Sequence, residues 1–237
     1  MYADKMDALS AGIRPVITPA TADRTLVSVD LSSIESRGLG WLTGCQRIVD
    51  CFAAGKDTYT DLAGRFFGIP ADSVSKAQRT FAKPPELGCG YKLGPPGLVA
   101  YAEGMGTAMT VDEATRMVDV WRQANPEVVA AWRLLVTAAE DCTYDGQPRE
   151  AVRCTFHRDK HHLILGLPSG RSIFYRDPTM ERNKWGHTAF HYAGRDDKGA
   201  AFWGTRSMHG GKWVENIVQA ISRDILAVAL RTIEEWL

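Results

Sequence analysis

The chain has 237 residues, of which 45% are hydrophobic and 24% are charged, so it is long enough to bury one sizeable core or two small ones. Its formal net charge is zero, which excludes a polyanion partner attracted by the field of the whole molecule and leaves only local contacts with nucleic acid. Five cysteines without CxxC spacing predict reduced, mostly buried thiols, and the lack of any run of about 18 apolar residues predicts no membrane partner.

The first predicted elements are an irregular lead-in, a strand and a helix. Residues 14–25 are rich in Pro and Thr, whereas residues 26–29 form a short apolar run typical of a buried strand. Residues 33–42 are predicted to be helical. The strand would deliver the carboxylate of Asp30, which follows it directly, to a metal ion.

Helix start and stop signals then follow one another. Residues 57–68 fit a helix closed by a C-terminal glycine, and residues 70–74 open the next helix. Thr110 and Glu113 resemble a capping box, which predicts a helix that ends at an Asn-Pro pair. Residues 126–141 are predicted to be helical again.

The composition of the last third changes towards strands. Residues 150–175 alternate between apolar and polar, and Ser169-Gly170 fits the turn of a hairpin within this segment, which predicts a small antiparallel sheet. Two glycines at 210–211 lead into a last helix, predicted at residues 213–236. The predicted fold class is therefore α+β, mainly helical.

Four residues spaced four apart form the most informative pattern, here called the motif B stripe. The stripe consists of Arg79, Lys83, Leu87 and Tyr91. At this spacing the residues share one helical face, with two cations at one end and an apolar platform with a phenol at the other. Such a face suits a nucleoside triphosphate, which has a polyphosphate at one end and a flat base at the other. Pro84 and Pro85 predict that the helix kinks or restarts after Lys83.

Three segments in the same order resemble the motifs of one known family. Residues 30–37 resemble motif A of the family A DNA polymerases, and residues 79–91 resemble their motif B. Residues 213–224 resemble the helix that touches the primer–template duplex. The chain is therefore similar to family A DNA polymerases, most closely to bacteriophage-type members, over roughly residues 13–237.

This resemblance implies a partial polymerase palm, containing the small antiparallel sheet, together with helical fingers. The implied domains are an irregular lead-in at residues 1–24, a palm segment with motif A at residues 25–50 and helical fingers with motif B at residues 51–141. Residues 142–237 would form the β-hairpin and the palm helix that contacts the primer–template.

The resemblance also implies a catalytic role for motif A. The carboxylate of Asp30 and the backbone carbonyl of Leu31 would bind Mg²⁺, and Glu35 would close the pocket beneath the sugar and exclude a 2′-hydroxyl. Taken alone, Asp30 would more often cap the following helix, and Glu35 has an alternative interpretation as a solvated helix residue.

For motif B, the resemblance implies that Arg79 and Lys83 hold the triphosphate, that Leu87 packs on the incoming base and that Tyr91 lies near the templating position. Leu87 departs from the family, which usually has Phe or Tyr there. Without the other motifs, the two cations would be better interpreted as a surface stripe.

Contacts with the duplex are implied for the last helix. Gln219 and Arg223 would line the DNA, and Gln219 would reach a minor-groove acceptor shared by all base pairs. The alternative is the polar face of an amphipathic helix. Arg37 and Arg171 are weaker candidates for DNA contact, since either would also fit a surface ion pair.

The second metal-binding carboxylate of the family lies in a His-Asp-Glu hairpin after the last helix, which this sequence lacks, as it lacks the exonuclease and most of the thumb. We therefore expect a truncated, split or incompletely encoded polymerase. The predicted function is template-directed DNA synthesis from deoxynucleoside triphosphates by a two-Mg²⁺ mechanism on primer–template DNA, in the cytoplasm of an infected bacterial host. The alternative is a non-catalytic nucleotide or primer–template binding module that needs a second polypeptide for activity.

Overall fold

The computed structural model describes residues 16–21, 23–26, 28–182, 186–195 and 203–236. The chain divides into two compact units, Met1–Ser32 and Ser33–Leu237, each described here by itself. This division tests none of the domain boundaries predicted at residues 24, 50 and 141, which stay predictions.

The described residues of the first unit contain no strand. Leu26 and Val29 are 53% and 71% exposed, so the buried strand predicted at residues 26–29 is wrong for the described positions, and Val27 lies outside them. A short apolar run forms a strand only where a neighbouring strand accepts its hydrogen bonds, and the described strands of the chain pair with one another.

The second unit begins with a helical region. Its α-helices are α1 (Ile34–Thr43), α2 (Gln46–Ala53), α3 (Thr58–Phe67), α4 (Lys76–Gly88), α5 (Pro95–Gly104), α6 (Val111–Ala124) and α7 (Pro126–Asp145), with 3₁₀ turns at Ala71–Ser73 and Cys89–Tyr91. The predicted capping box of Thr110 and Glu113 is present at the start of α6. The predicted C-terminal glycine of α3 is Gly68, whose φ of 68° places it in the left-handed region that favours glycine.

A sheet and a long helix complete the unit. The strands are β1 (Arg149–Ala151), β2 (Cys154–Arg158), β3 (His162–Gly166), β4 (Ser172–Arg182), β5 (Thr188–Arg195) and β6 (Trp203–Ser207), followed by α8 (Gly210–Trp236). All neighbouring strands are antiparallel and pair in sequence order. The predicted hairpin at Ser169-Gly170 joins β3 to β4, and the α+β, mainly helical class is confirmed.

The core joins the inner face of the sheet to the helices. Trp213 of α8 is fully buried, and its ring contacts Phe156, Tyr175 and Phe190 at centroid distances of 5.5, 4.7 and 5.3 Å. All five cysteines are buried and free, as predicted. The core therefore fixes the start of α8, and this part of the helix helps to form the site described below.

The other end of α8 is different. Its last turns expose large apolar side chains, namely Ile225, Leu226, Val228, Leu230, Ile233 and Trp236. An apolar surface of this extent is typical of a contact surface for another chain or segment. Among the described residues, no helix combines the length and the apolar character that crossing a membrane requires.

Candidate functional site

Helix α4 carries the first three residues of the motif B stripe. Ser75 caps it in a capping box with Gln78, and the helix then runs from Lys76 to Gly88 with Pro84 and Pro85 inside it. The predicted restart after Lys83 is therefore wrong. Both prolines are buried, and this packing offsets the two backbone donors that the helix lacks at these positions.

The motif B stripe lies on the outward side of α4 and of the 3₁₀ turn that follows it. Arg79 and Lys83 are exposed, whereas Leu87 and Tyr91 are half-buried. Ala82 and Glu86, which lie between stripe positions in the sequence, are buried. The burial pattern thus agrees with one shared face, with the cations at its solvent end.

The cationic end of the stripe is oriented by α3. Asp57, the N-cap of α3, accepts hydrogen bonds from the backbone of Tyr59 and Thr60 and from Arg79 Nε, the last at 2.6 Å. The Arg79 guanidinium also lies over the Tyr59 ring, 5.1 Å from its centroid. Burial alone would raise the pKa of Asp57, but the hydrogen bonds from Thr60 and Arg79 outweigh it and lower this pKa. Asp57 therefore stays ionised and holds Arg79 in place.

The phenolic end of the stripe contacts motif A. The Tyr91 hydroxyl donates a hydrogen bond to Glu35 in the first turn of α1, at 2.7 Å. Burial, followed by the neighbouring Glu35 carboxylate, raises the pKa of Tyr91 well above its ordinary value. Tyr91 therefore stays a hydrogen-bond donor, and Glu35 has a specific side-chain partner although it is exposed.

A cavity of about 520 Å³, here called the first cavity, lies at this contact. It is lined by Glu35, Leu87, Gly88, Tyr91, Lys92, Leu93, Gly94, Tyr101, His209, Lys212, Glu215 and Gln219. Four of these residues were predicted from the sequence: Glu35, Leu87, Tyr91 and Gln219. The structure thus brings motif A, motif B and the last helix together around one concave surface.

Sequence reasoning missed the cationic wall of the first cavity. Lys92 and Lys212 line it together with His209, and Lys212 forms an ion pair with Glu215 at 3.3 Å. Burial lowers the pKa of His209, and the charges of Lys92 and Lys212 lower it further, so the imidazole is neutral near pH 7. Lys92 is more than a hundred positions away from His209 and Lys212, and their proximity follows from the fold.

The sequence signal for this proximity was the glycine pair Gly210-Gly211, which forms the start of α8. A Cβ atom on Gly211 would lie 1.9 Å from the Tyr91 carbonyl oxygen, and one on Gly210 would lie 2.5 Å from Trp132. Only glycine permits this close approach of backbones. The pair therefore lets the start of α8 lie directly against the end of motif B.

Three candidates for DNA contact lie outside the lining of the first cavity, namely Arg223 and the weaker candidates Arg37 and Arg171. Arg37 lies over the Phe52 ring at 4.2 Å, and Arg223 is 3.4 Å from Asp224. Arg171 also pairs with Asp224, as its alternative interpretation predicted. Their roles in DNA binding stay predictions.

Asp30 and Leu31 belong to the first unit, where Asp30 is exposed and Leu31 is half-buried. The N-cap of α1 is Ser33, so the alternative role of Asp30 as that cap is wrong. Within the described part of the chain, no group of three or more His, Cys, Asp or Glu side chains is placed to hold a metal ion. The predicted Mg²⁺ ligands are thus not completed by described side chains.

Comparison with known proteins tests the resemblance found in the motifs. The DNA polymerase of Bacillus phage SP02 is 31% identical over 238 residues, which cover 99% of this chain and 36% of that protein. The thermostable DNA polymerase I of Thermus thermophilus is 30% identical over 142 residues, which cover 60% of this chain and 16% of that protein. The chain therefore spans about a third, or less, of the length of these relatives.

A solved structure, the POL domain of Pol1 from M. smegmatis in complex with DNA primer-template and dNTP, aligns with 62% of this chain and 21% of that chain. Its sequence identity of 21% and TM-score of 0.42 are too low to support a conclusion. The family model of DNA polymerase family A, however, matches residues 5–154, which is more than half of the chain. The predicted resemblance is confirmed, and the chain belongs to DNA polymerase family A.

Proposed function

We propose that this chain forms the nucleotide and primer–template binding part of a DNA polymerase that transfers deoxynucleotides to a primer 3′-hydroxyl. The observation that carries the proposal is the hydrogen bond between Tyr91 and Glu35, which joins motif B to motif A at a cavity also lined by Gln219. The chain spans about a third of the length of its phage relative, so the complete activity of that relative is for this chain a proposal. The phage relative also supports action in the cytoplasm of an infected bacterial host.

The motif B stripe supports one orientation of the bound nucleotide, with its triphosphate at the cations and its base at Leu87. The exposed cations Arg79 and Lys83 suit the triphosphate, and the half-buried Leu87 offers an apolar surface to the base at the first cavity. Leucine provides no aromatic stacking, so the base would be held by packing alone. Arg79 is already oriented by Asp57, which reduces the entropy lost on binding.

Glu35 supports selection against ribonucleotides. Its Oε2 atom already accepts the Tyr91 hydroxyl, which fixes the carboxylate at the first cavity and leaves it little freedom to turn towards a second donor. A 2′-hydroxyl beside it would lose solvent hydrogen bonds without gaining an equivalent partner, which costs about 1–3 kcal/mol. Gln219, which also lines the first cavity, would contact a minor-groove acceptor of the duplex.

We also propose that Asp30 and the carbonyl of Leu31 supply one part of a magnesium site. When bound, Mg²⁺ would stabilise the charge that develops on the transferred phosphoryl group. Within the described part of the chain, no group of three or more His, Cys, Asp or Glu side chains is placed to hold a metal ion, so these residues do not by themselves fit a two-metal site. A second polypeptide or segment would supply the second carboxylate.

A second candidate function is a non-catalytic nucleotide or primer–template binding module. It is favoured by the apolar side chains that the last turns of α8 expose, since a partner that completes the site would cover them.

Primer extension distinguishes the two candidate functions. We expect the isolated chain to give no extension, and extension at about 1 s⁻¹, the low end of ordinary enzyme turnover, would show that it needs no partner.

Nucleotide binding tests the role of the stripe. Lys83→Ala should weaken deoxynucleotide binding by about 1.5–3 kcal/mol, the usual range for a hydrogen bond to a charged group. Fluorescence titration of a deoxynucleoside triphosphate in the presence of primer–template measures the change. Lys76→Ala is the matched control, because Lys76 is an exposed lysine at the start of the same helix. Equal affinities of the wild type and Lys83→Ala would remove the assignment.

A further inference from the structure

A second cavity, of about 600 Å³, shares Lys92 with the first cavity. It is lined by Lys92, Arg122, Val129, Trp132, Arg133, Val136 and Thr137. Its three charged residues are all cations. Since the chain as a whole has a net charge of zero, the second cavity is a local concentration of positive charge.

Within the described part of the chain, Lys92, Arg122 and Arg133 form no ion pair with a carboxylate. The Arg122 Nε atom is buried without a hydrogen-bond partner, and its Nη2 atom has only a long contact of 3.5 Å with the Leu93 carbonyl. A buried donor of this kind is costly unless an acceptor arrives from outside.

The backbone that carries Lys92 is held in an unusual conformation. Lys92 has a φ of 65°, in the left-handed region that lysine rarely adopts. The preceding turn is fixed by Trp132, whose Nε1 atom donates to the Gly90 carbonyl at 2.9 Å. Trp132 in turn lies beneath the Arg122 guanidinium, at 5.7 Å from its charged centre. The fold thus holds Lys92 in a strained backbone conformation, and its side chain lines both cavities. Backbone strain of this kind is typical of residues that bind ligands.

We propose that the second cavity binds backbone phosphates of the single-stranded template, at nucleotides that have not yet been copied. This inference rests on the proposed function, which places the new base pair at the first cavity. A strand that leaves the first cavity past Lys92 enters the second cavity directly, because both share that residue. The contact would be independent of sequence, since Lys and Arg bind phosphate oxygens without reading bases.

The lining of the second cavity favours a strand backbone over a free nucleotide. Trp132 is only 4% exposed, so the cavity offers no aromatic face on which a base could stack. Arg79 and Lys83, which we assign to the triphosphate, line neither cavity.

Fluorescence anisotropy with a primer–template duplex tests the proposal in the full chain. A 5′ template overhang of about eight nucleotides should raise affinity over a blunt duplex by roughly fivefold at low salt. The double variant Lys92→Ala/Arg133→Ala should lose most of this gain. Its slope of log affinity against log salt should fall by about 0.7 for each lost single-strand phosphate contact.

Two controls separate a phosphate site from a general loss of charge. Lys56→Ala/Lys76→Ala removes two exposed lysines from outside the second cavity and should keep the overhang-dependent gain. Arg133→Lys preserves the positive charge and should also keep most of it. Far-ultraviolet circular dichroism verifies that each variant is folded.

The remaining outcomes overturn the inference. An overhang that adds no affinity in the wild type, or a double variant with an unchanged gain and salt slope, would show that the template does not enter the second cavity. Tripolyphosphate binding that depends on Lys92 and Arg133, without any effect of the overhang, would assign the cavity to a free polyphosphate. The Lys83→Ala nucleotide titration is independent, so failure of the proposed function is distinguishable from failure of this inference.

Discussion

The two faces of α4 have opposite environments. Its outward face exposes Arg79 and Lys83, and Arg79 pairs with the N-cap Asp57 at the surface. Its inward face buries Glu86, whose carboxylate pairs with Arg47 of α2. The outward pair leaves cations accessible to a ligand, whereas the inward pair fixes the helix that carries them. Within this one helix, the outward face is therefore available to a ligand, and the inward face fixes the position of the helix.

The inward pair belongs to a network that ties four helices together. Arg47 donates to both Glu86 carboxylate oxygens at 2.7 and 3.0 Å, to Asp61 at 2.7 Å and to Asn125 at 2.8 Å. The Trp121 indole donates to Glu86 at 3.0 Å. Burial raises the pKa of Glu86, and the charge of Arg47 opposes this effect. Every group is satisfied only while the others stay in place.

The largest expected effect comes from breaking the inward pair. Arg47→Met should lower the free energy of unfolding by about 3–5 kcal/mol, because it leaves Glu86 buried without its counter-charge. Urea unfolding followed by circular dichroism measures the change. Arg65→Met is the control, since Arg65 forms a half-exposed pair with Asp61 whose loss should cost less than about 1 kcal/mol. Similar losses in both variants would mean that burial does not distinguish the two kinds of pair.

A second variant changes the packing of α8 against the end of motif B without removing a charge. In Gly211→Ala, the new methyl group would collide with the Tyr91 carbonyl, so α8 must shift. We expect a loss of about 1–3 kcal/mol in the free energy of unfolding, together with weaker nucleotide binding.

The matched control for this variant is Gly104→Ala at the end of α5. A Cβ atom there has no neighbour within 4 Å, so the substitution should be neutral or stabilise by about 0.4–1 kcal/mol. If both alanine variants unfolded at the same urea concentration, close packing at Gly211 would not be what positions α8.

The smallest effect is expected at the outward pair, and it depends on pH. Asn also caps helices well, so Asp57→Asn should remove the ion pair with Arg79 and cost about 0.2–1 kcal/mol at pH 7. The pKa of Asp57 is lowered by folding, so its contribution to stability is present above the unfolded pKa of about 3.9 and is lost as the pH falls below it.

Urea unfolding of wild type and Asp57→Asn between pH 7 and about pH 3 measures this dependence. The difference between them should disappear towards the acid end. Asp119→Asn, which changes an exposed aspartate on α6, controls for the general effect of lost charge. A difference that grew on acidification would reverse the sign and contradict the role of the carboxylate.

Local signals in the sequence predicted much of the helical fold and the outward face of α4. The capping box at Thr110, the hairpin at Ser169-Gly170 and the four-residue spacing of the motif B stripe each depend on neighbours within a few positions. The burial of Glu86 could not be predicted in this way. Its partner Arg47 lies 39 residues away, and a charged residue between prolines and Leu87 carries no local sign of burial.

In the candidate functional site, too, local patterns could be predicted from the sequence and contacts between distant residues could not. The residues of motifs A and B were found, but the contact between Glu35 and Tyr91 spans 56 positions and is created by packing of α1 against the end of motif B. The cationic wall from α8 was missed for the same reason. The strand predicted at residues 26–29 was wrong at its described positions, because an apolar run does not reveal whether a partner strand is present.

The left-handed backbone of Lys92 has a consequence for protein engineering. Glycine adopts this conformation without strain, so Lys92→Gly should be at least as stable as the natural sequence. The same change would remove the cation shared by the two cavities. If the second cavity binds the template as proposed, a selection for heat resistance alone would favour a chain that binds the template more weakly, which is a trade-off between stability and activity.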